Sequence, residues 1–188
     1  MIQTRRLELR RWKDSDLDPF AALCADEQVM EFFPGTLNRE QSADFMARAR
    51  QHFADHGYGL WALECLAGPP FIGFVGLSRV RFAAPFTPAV EIGWRLARPT
   101  WGQGYASEAS RAVLRYAFET LDLPEVVSFT VPANTRSRGV MERIGMGRDP
   151  SEDFDHPALP EGHPLNRHVL YRLTARDWKS RASPDESA

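Results

Sequence analysis

Two glycines one residue apart, Gly102 and Gly104, stand between an apolar run ending at Leu96 and a stretch of helical periodicity beginning at Tyr105. Glycine lets a backbone adopt unusual dihedrals and come close to a ligand. A helix that starts directly after such a turn presents unpaired N–H groups and the positive end of its dipole. The segment Gly102-Gln103-Gly104-Tyr105-Ala106 could therefore hold an anion of the size of a pyrophosphate. A tight turn that only joins strand to helix would use the same residues, and from Gly-x-Gly alone the two readings are equal. Two other phosphate-binding patterns fit poorly. A dinucleotide fingerprint needs a third small residue, Gly or Ala, soon after the first strand, whereas Ser107 stands there in mid-chain. A P-loop needs Gly-Lys-Ser or Gly-Lys-Thr at the helix start, and neither occurs.

The elements that must position this turn are legible from periodicity. Arg6 to Trp12 alternates as a strand. Asp14 or Ser15 can cap a helix starting near Asp16, with Leu17, Phe20, Ala21 and Leu23 on its apolar side. A short helix is expected over Val29 to Phe33, ended by Pro34-Gly35. A longer one runs from Asn38 to about His56, stopped by Gly57 and Gly59. Strands follow at Leu60 to Leu66, Phe71 to Val80 and Ala89 to Leu96, the first two forming a hairpin around Ala67-Gly68-Pro69-Pro70. The helix after the glycine turn reaches about Leu121. It buries Ala109, Ala112, Val113, Tyr116 and Ala117 and wets Glu108, Arg111, Arg115 and Glu119. A strand at Val126 to Val131, a short helix from Arg136 to Ile144 stopped by Gly145, a long loop and a strand at His168 to Leu173 complete the order. This mixed order predicts an α/β fold whose partly antiparallel sheet is flanked by helices. One domain is expected over residues 1–179, with a disordered tail at 180–188.

Composition sets the outer limits. With 188 residues, 43% hydrophobic and 26% charged, the chain resembles an ordinary globular protein. A formal net charge of −2 gives no basic footprint for nucleic acid. No run of apolar residues is long enough to span a membrane, and the start carries no long apolar leader, so a cytoplasmic location is expected. The two cysteines, Cys24 and Cys65, lie apart and read as small buried hydrophobes.

Taken with its neighbours, the turn belongs to a longer pattern. The runs Glu91-Ile92-Gly93-Trp94-Arg95-Leu96 and Trp101-Gly102-Gln103-Gly104-Tyr105-Ala106-Ser107-Glu108-Ala109 resemble the acetyl-CoA site of the GNAT acetyltransferase superfamily. Asn134-Thr135-Arg136-Ser137-Arg138 and Met141-Glu142-Arg143-Ile144-Gly145-Met146 resemble the second half of that site. Thr4-Arg5-Arg6-Leu7-Glu8-Leu9-Arg10 and Gly73-Phe74-Val75-Gly76-Leu77 are similar to the ribosomal-protein N-terminal acetyltransferases, the RimJ/RimL type. The likeness covers roughly residues 4 to 173. One departure is Pro99, where the superfamily often has Gln or Arg.

The resemblance implies a GNAT fold and a transfer of acetyl from acetyl-CoA to a primary amine, either a protein N-terminus or a small molecule. Backbone groups of Trp94 and Leu96 would bond the pantetheine arm, and Gly102, Gln103, Gly104, Tyr105 and Ala106 would cradle the pyrophosphate. Asn134 would also bond the arm, or would serve only as a helix cap. Glu91 is the expected general base, or a structural glutamate. Ser137 is the expected proton donor to the leaving thiolate, or a brace of the short helix; Tyr116 and Tyr171 are weaker donors. No metal is called for. A homodimer is a reasonable expectation. A non-catalytic acyl-CoA-binding module on the same fold is the alternative.

Two further groups stand outside this pattern. Asp153, Asp155, His156, His163 and His168 lie in and beside the late loop but match no tight metal-ligand spacing, and such a loop could wall an acceptor pocket. Phe32-Phe33 could line the same pocket, or at least one ring could be core.

Overall fold

The structure, a computed structural model, describes residues 1–182. The chain forms two compact units, one from Met1–Ser78 with Ile92–Val113, the other from Arg79–Glu91 with the chain from Leu114 onward.

The first unit is built on an antiparallel meander. Strand β1 (Ile2–Gln3) pairs with β2 (Leu7–Arg10), which is followed by helices α1 (Leu17–Ala25) and α2 (Arg39–His56). Strand β3 (Leu60–Cys65) pairs with β2 in the register Leu7 to Cys65, and with β4 (Gly73–Arg79) in the register Leu60 to Gly76. Most of β5 (Val90–Leu96) and the first half of α3 (Tyr105–Glu119) also belong here. The helices cover an aromatic core in which Trp12 and Phe20 meet edge-on at 5.1 Å, with Phe71, Phe74, Met46 and Leu23 packed around them. Buried Arg10 joins β2 to the turn before α1. Its terminal nitrogens donate to both oxygens of Asp16 at 2.8 Å, its Nε to Glu64 at 2.7 Å, and one nitrogen also to the Pro70 carbonyl at 2.6 Å. Asn38 caps α2 by accepting the Gln41 N–H, and the Gln41 side chain returns a bond to the Asn38 N–H. This is the reciprocal arrangement that fixes a helix start.

The second unit holds the parallel pairing. Strand β6 (Glu125–Thr130) pairs in parallel with the start of β5 at Glu91 and Val127. It leads to α4 (Thr135–Arg143), β7 (Gly147–Arg148), β8 (Phe154–Asp155), β9 (Arg167–Thr174) and α5 (Ala175–Ala182). Strand β9 runs antiparallel to β6 from Glu125–Thr174 to Thr130–Val169, and to both short strands. Phe86, Val127, Phe154 and Leu170 form its core, with Phe82 and Phe129 against them. The fold is thus α/β, with a sheet dominated by antiparallel pairs and flanked by helices, as expected.

Three local expectations are corrected. Residues 29 to 33 form turns and bends rather than a helix. The Asp26 carboxylate takes the N–H groups of Gln28 and Val29, which closes a turn, and Pro34 disfavours helical dihedrals at Phe33. The chain after β9 continues as α5, so Ser180 to Ala182, assigned to a tail, are helical; residues 183–188 lie outside the described residues. Trp178 on α5 packs on Phe118 at a ring distance of 5.6 Å. Glu108, assigned to the wet face of α3, is half-buried. Among the described residues, no helix is long and apolar enough to cross a membrane.

Candidate active site

Along β5 the side chains alternate, so Ile92, Trp94 and Leu96 share one side and Glu91, Gly93 and Arg95 the other. Ile92 and Leu96 are buried, and Trp94 is half-buried. The strand ends in a tied connection. The Trp101 indole N–H donates to the Leu96 carbonyl at 2.8 Å, and the Thr100 hydroxyl donates to the Ala97 carbonyl at 2.6 Å. Pro99 sits in a short 3-10 turn, and its carbonyl accepts a bond from the Gln103 amide at 3.1 Å. The Leu96 carbonyl, expected to meet pantetheine, is therefore already engaged once. A carbonyl has a second lone pair, so a further bond is available to it.

Gly102 and Gly104 both have left-handed dihedrals, with φ of 74° and 79°. Space does not demand glycine there. A Cβ at Gly102 would meet nothing within 4 Å, and one at Gly104 only an Arg6 nitrogen at 3.5 Å. The backbone conformation is what selects glycine. Helix α3 starts at Tyr105, and the Glu108 N–H donates to the Gly104 carbonyl at 3.0 Å. The N–H groups of Tyr105 and Ala106 precede that bond, so the i to i−4 ladder of the helix does not take them up. A turn of two left-handed glycines thus opens directly into a helix N-terminus, the arrangement in which backbone N–H groups can meet an anion.

Sequence reasoning missed what holds the cradle in place. Glu108 accepts from the Thr4 hydroxyl at 2.7 Å, from the Arg6 backbone N–H at 3.0 Å and from Arg6 Nε at 2.6 Å. Arg6 also donates to the Gln103 carbonyl at 3.0 Å, and its guanidinium lies 4.6 Å from the centre of the Tyr105 ring. Burial pushes the Glu108 carboxyl upward, but the bonds from Thr4 and Arg6 outweigh it and hold the pKa below the usual glutamate range. The signal was present as Thr4-x-Arg6 and an acid in the first turn of α3. Helical periodicity alone put that acid in water.

Arg95 was also missed. It is 8% exposed; one terminal nitrogen donates to the Cys24 sulfur at 3.2 Å, and its Nε has no partner. The guanidinium lies 4.2 Å from the centre of the Phe33 ring and about equally far, 5.5 and 5.6 Å, from those of Phe45 and Phe74. A charged residue inside the apolar run Ile92 to Leu96 was the available sign.

The second unit carries the remaining candidates. Glu91 is half-buried in β5, and desolvation raises its pKa to about 8. Its carboxyl therefore holds a proton at neutral pH and ionises within the range where a base is useful. Asn134 caps α4: its Oδ1 accepts the Ser137 N–H at 3.2 Å, and its Nδ2 donates to the Thr130 hydroxyl at 3.0 Å. Ser137 is half-buried on the first turn of that helix. The Tyr171 hydroxyl donates to Glu142 at 2.9 Å, which ties β9 to α4. Tyr116 is half-buried.

The polar residues of the late loop brace the loop itself. Asp153 pairs with Arg148 and accepts the Leu170 N–H at 3.4 Å, and Asp155 pairs with Arg167 at 3.2 Å. The Nδ1 atoms of His156 and His163 accept backbone N–H groups of Ala158 and Leu165. His156 and His168 meet at a tilt, with ring centres 5.1 Å apart, beside Phe154 and Phe82, and burial lowers both pKa values.

Comparison with known proteins gives this geometry its family. The profile described as Acetyltransferase (GNAT) domain matches residues 6–147. The chain is 32% identical over 146 residues to the uncharacterized protein YkkB of Bacillus subtilis (strain 168), covering 77% of this chain and 84% of that one. It is 32% identical over 144 residues to the FsC-acetyl coenzyme A-N(2)-transacetylase of Aspergillus fumigatus, covering 66% of this chain and 59% of that protein. Among solved structures, the GNAT-family acetyltransferase from Bacillus anthracis superposes with a TM-score of 0.77 at 25% identity, over 93% of this chain and 98% of that one. The chain belongs to the GNAT acetyltransferase family, and it is an acetyl-CoA-dependent N-acetyltransferase.

Proposed function

We propose that the protein transfers acetyl from acetyl-CoA to a primary amine by direct attack within a ternary complex. The amine is the α-amine of a protein N-terminus or that of a small molecule. The likeness of Thr4 to Arg10 to the ribosomal-protein branch favours an α-amine. The observation that carries the reading is the pair of left-handed glycines opening α3. Gly102 to Ala106 would hold the pyrophosphate, and the backbone of Trp94 and Leu96 together with the Asn134 side chain would hold the pantetheine arm.

In the reaction, the amine nitrogen attacks the thioester carbonyl carbon, the C–S bond breaks and an amide forms. The proton lost by the amine goes to the ionised form of Glu91, whose share grows as pH approaches 8, directly or through water. The departing thiolate takes a proton through the hydroxyl of Ser137, which recovers one from water. No covalent enzyme intermediate is needed, because holding both reactants together supplies much of the rate. The N–H of Trp94 is the candidate donor to the oxygen that gains charge during attack. We place this enzyme in the cytoplasm, acting as a homodimer.

A thermal-shift series with acetyl-CoA, CoA, ATP and NAD tests the cofactor assignment. A ligand at ~100 times its dissociation constant adds about 2.7 kcal/mol of stability. Acetyl-CoA and CoA are expected to raise the melting temperature, and Gly104→Trp to lose that rise while remaining folded. A rise with ATP or NAD and none with CoA would overturn the reading.

A further inference from the structure

We propose that Arg95 is the residue that recognises the acceptor, pairing its guanidinium with a carboxylate carried by the amine substrate. The inference rests on the acetyl-transfer reading above and names its substrate class: an amine that also bears an acid.

The argument starts from the contrast between two buried arginines in the first unit. Arg10 is 4% exposed and is met by two carboxylates and by backbone carbonyls. Arg95 is 8% exposed, and among the described residues no acidic side chain is paired with it. Its hydrogen-bonding partner is a thiol, a weak acceptor, and burial keeps that thiol protonated by raising its pKa. Its Nε is fully buried and unbonded. A buried charge without a counter-charge is costly, so its retention calls for a partner that arrives from outside.

The surroundings define the partner. Phe33, Phe45 and Phe74 place aromatic rings around a planar guanidinium and bring no second positive charge. A planar monoanion that accepts two parallel N–H bonds suits this fork, and a carboxylate is that anion. Polyamines, which carry the same sign of charge as Arg95, are disfavoured. Of the three rings Phe33 is the most exposed, at 38%, and it sits on the helix-free segment between α1 and α2. Arg95 also shares β5, and by alternation one side of it, with Glu91.

The test uses the full chain, acetyl-CoA and matched acceptors offered as acid and as amide. The pairs are β-alanine with β-alaninamide, 6-aminohexanoate with 6-aminohexanamide, and the peptide amides Ala-Ala-Glu-NH2 with Ala-Ala-Gln-NH2. Spermidine serves as the cationic reference. At least one acid is expected to exceed its amide tenfold or more in kcat/KM, with most of the difference in KM. Arg95→Met is expected to bring that ratio to within twofold and to leave the melting temperature unchanged or higher, since it removes an unpaired buried charge. Arg95→Lys, which keeps the charge but not the fork, is expected to retain only part of the preference. Ratios near one in every wild-type pair, or a preference that survives in Arg95→Met, would overturn the proposal while leaving acetyl transfer standing. A clear fall in melting temperature in Arg95→Met with the acid preference intact would assign Arg95 a purely structural role. If acetyl-CoA binds but no amine is acetylated, the transfer reading fails on its own. Glutarate then decides for Arg95: a thermal shift in wild type that Arg95→Met lacks supports the site, and no shift overturns it.

Discussion

Glu91 shows how one half-buried carboxyl links stability to rate. Its native pKa of about 8 lies above the 4.5 of a free glutamate, so between these values the folded chain holds a proton that the unfolded chain has released. The stability from this group is complete below pH 4.5 and is lost as pH rises through 8. We expect the melting temperature of the wild type to fall more steeply from pH 5 to pH 9 than that of Glu91→Gln. In the same variant kcat should drop tenfold or more, the rising limb near pH 8 should disappear, and acetyl-CoA affinity should change little. A superimposable pH–rate profile would pass the base role to another group or to water. The strand that carries Glu91 was legible from its sequence, and so were the left-handed glycines, because a Gly-x-Gly turn before a helix constrains its own backbone. The pKa of Glu91 was not legible, since it depends on what encloses the strand. Arg95 and Glu108 were missed for the same reason: their environments come from segments far away in sequence, Cys24 and Phe33 in one case, Thr4 and Arg6 in the other.

At the scale of elements, sequence reading succeeded where periodicity was long and failed where tertiary partners decided. Asn38 and Gly57 announce both ends of α2, and Gly57 takes the left-handed conformation that ends it, with φ of 76°. Residues 29 to 33 carry too little periodicity to nucleate a helix against Asp26 and Pro34. Helix α5 is short and highly charged, with Lys179 and Arg181 in its last turn, and its packing depends on Trp178 reaching Phe118. The junction of β2 with α1 depends on buried charge, and it yields a test. Asp16→Ala removes the bidentate partner of Arg10 and leaves Glu64 as its remaining acid. Breaking a buried pair on one side costs about 3–5 kcal/mol, and the surviving Glu64 contact points to the lower end. Urea unfolding of the variant measures the loss, and a change below about 1 kcal/mol would show that Arg10 finds solvent instead.

For the molecule as a whole, the absence of covalent ties is a testable property. Cys24 and Cys65 are both buried and both free. The melting temperature should be the same with and without reductant, and a thiol reagent should label the native protein only as fast as it opens. Rapid labelling of either thiol under native conditions would mean that its element opens far more readily than its burial implies. The two compact units also have an unusual relation to the gene that encodes them. The chain leaves the first unit after Ser78, returns at Ile92 and leaves again after Val113, so that β5 and α3 each contribute to both. No single crossover in the DNA can therefore transplant one unit intact.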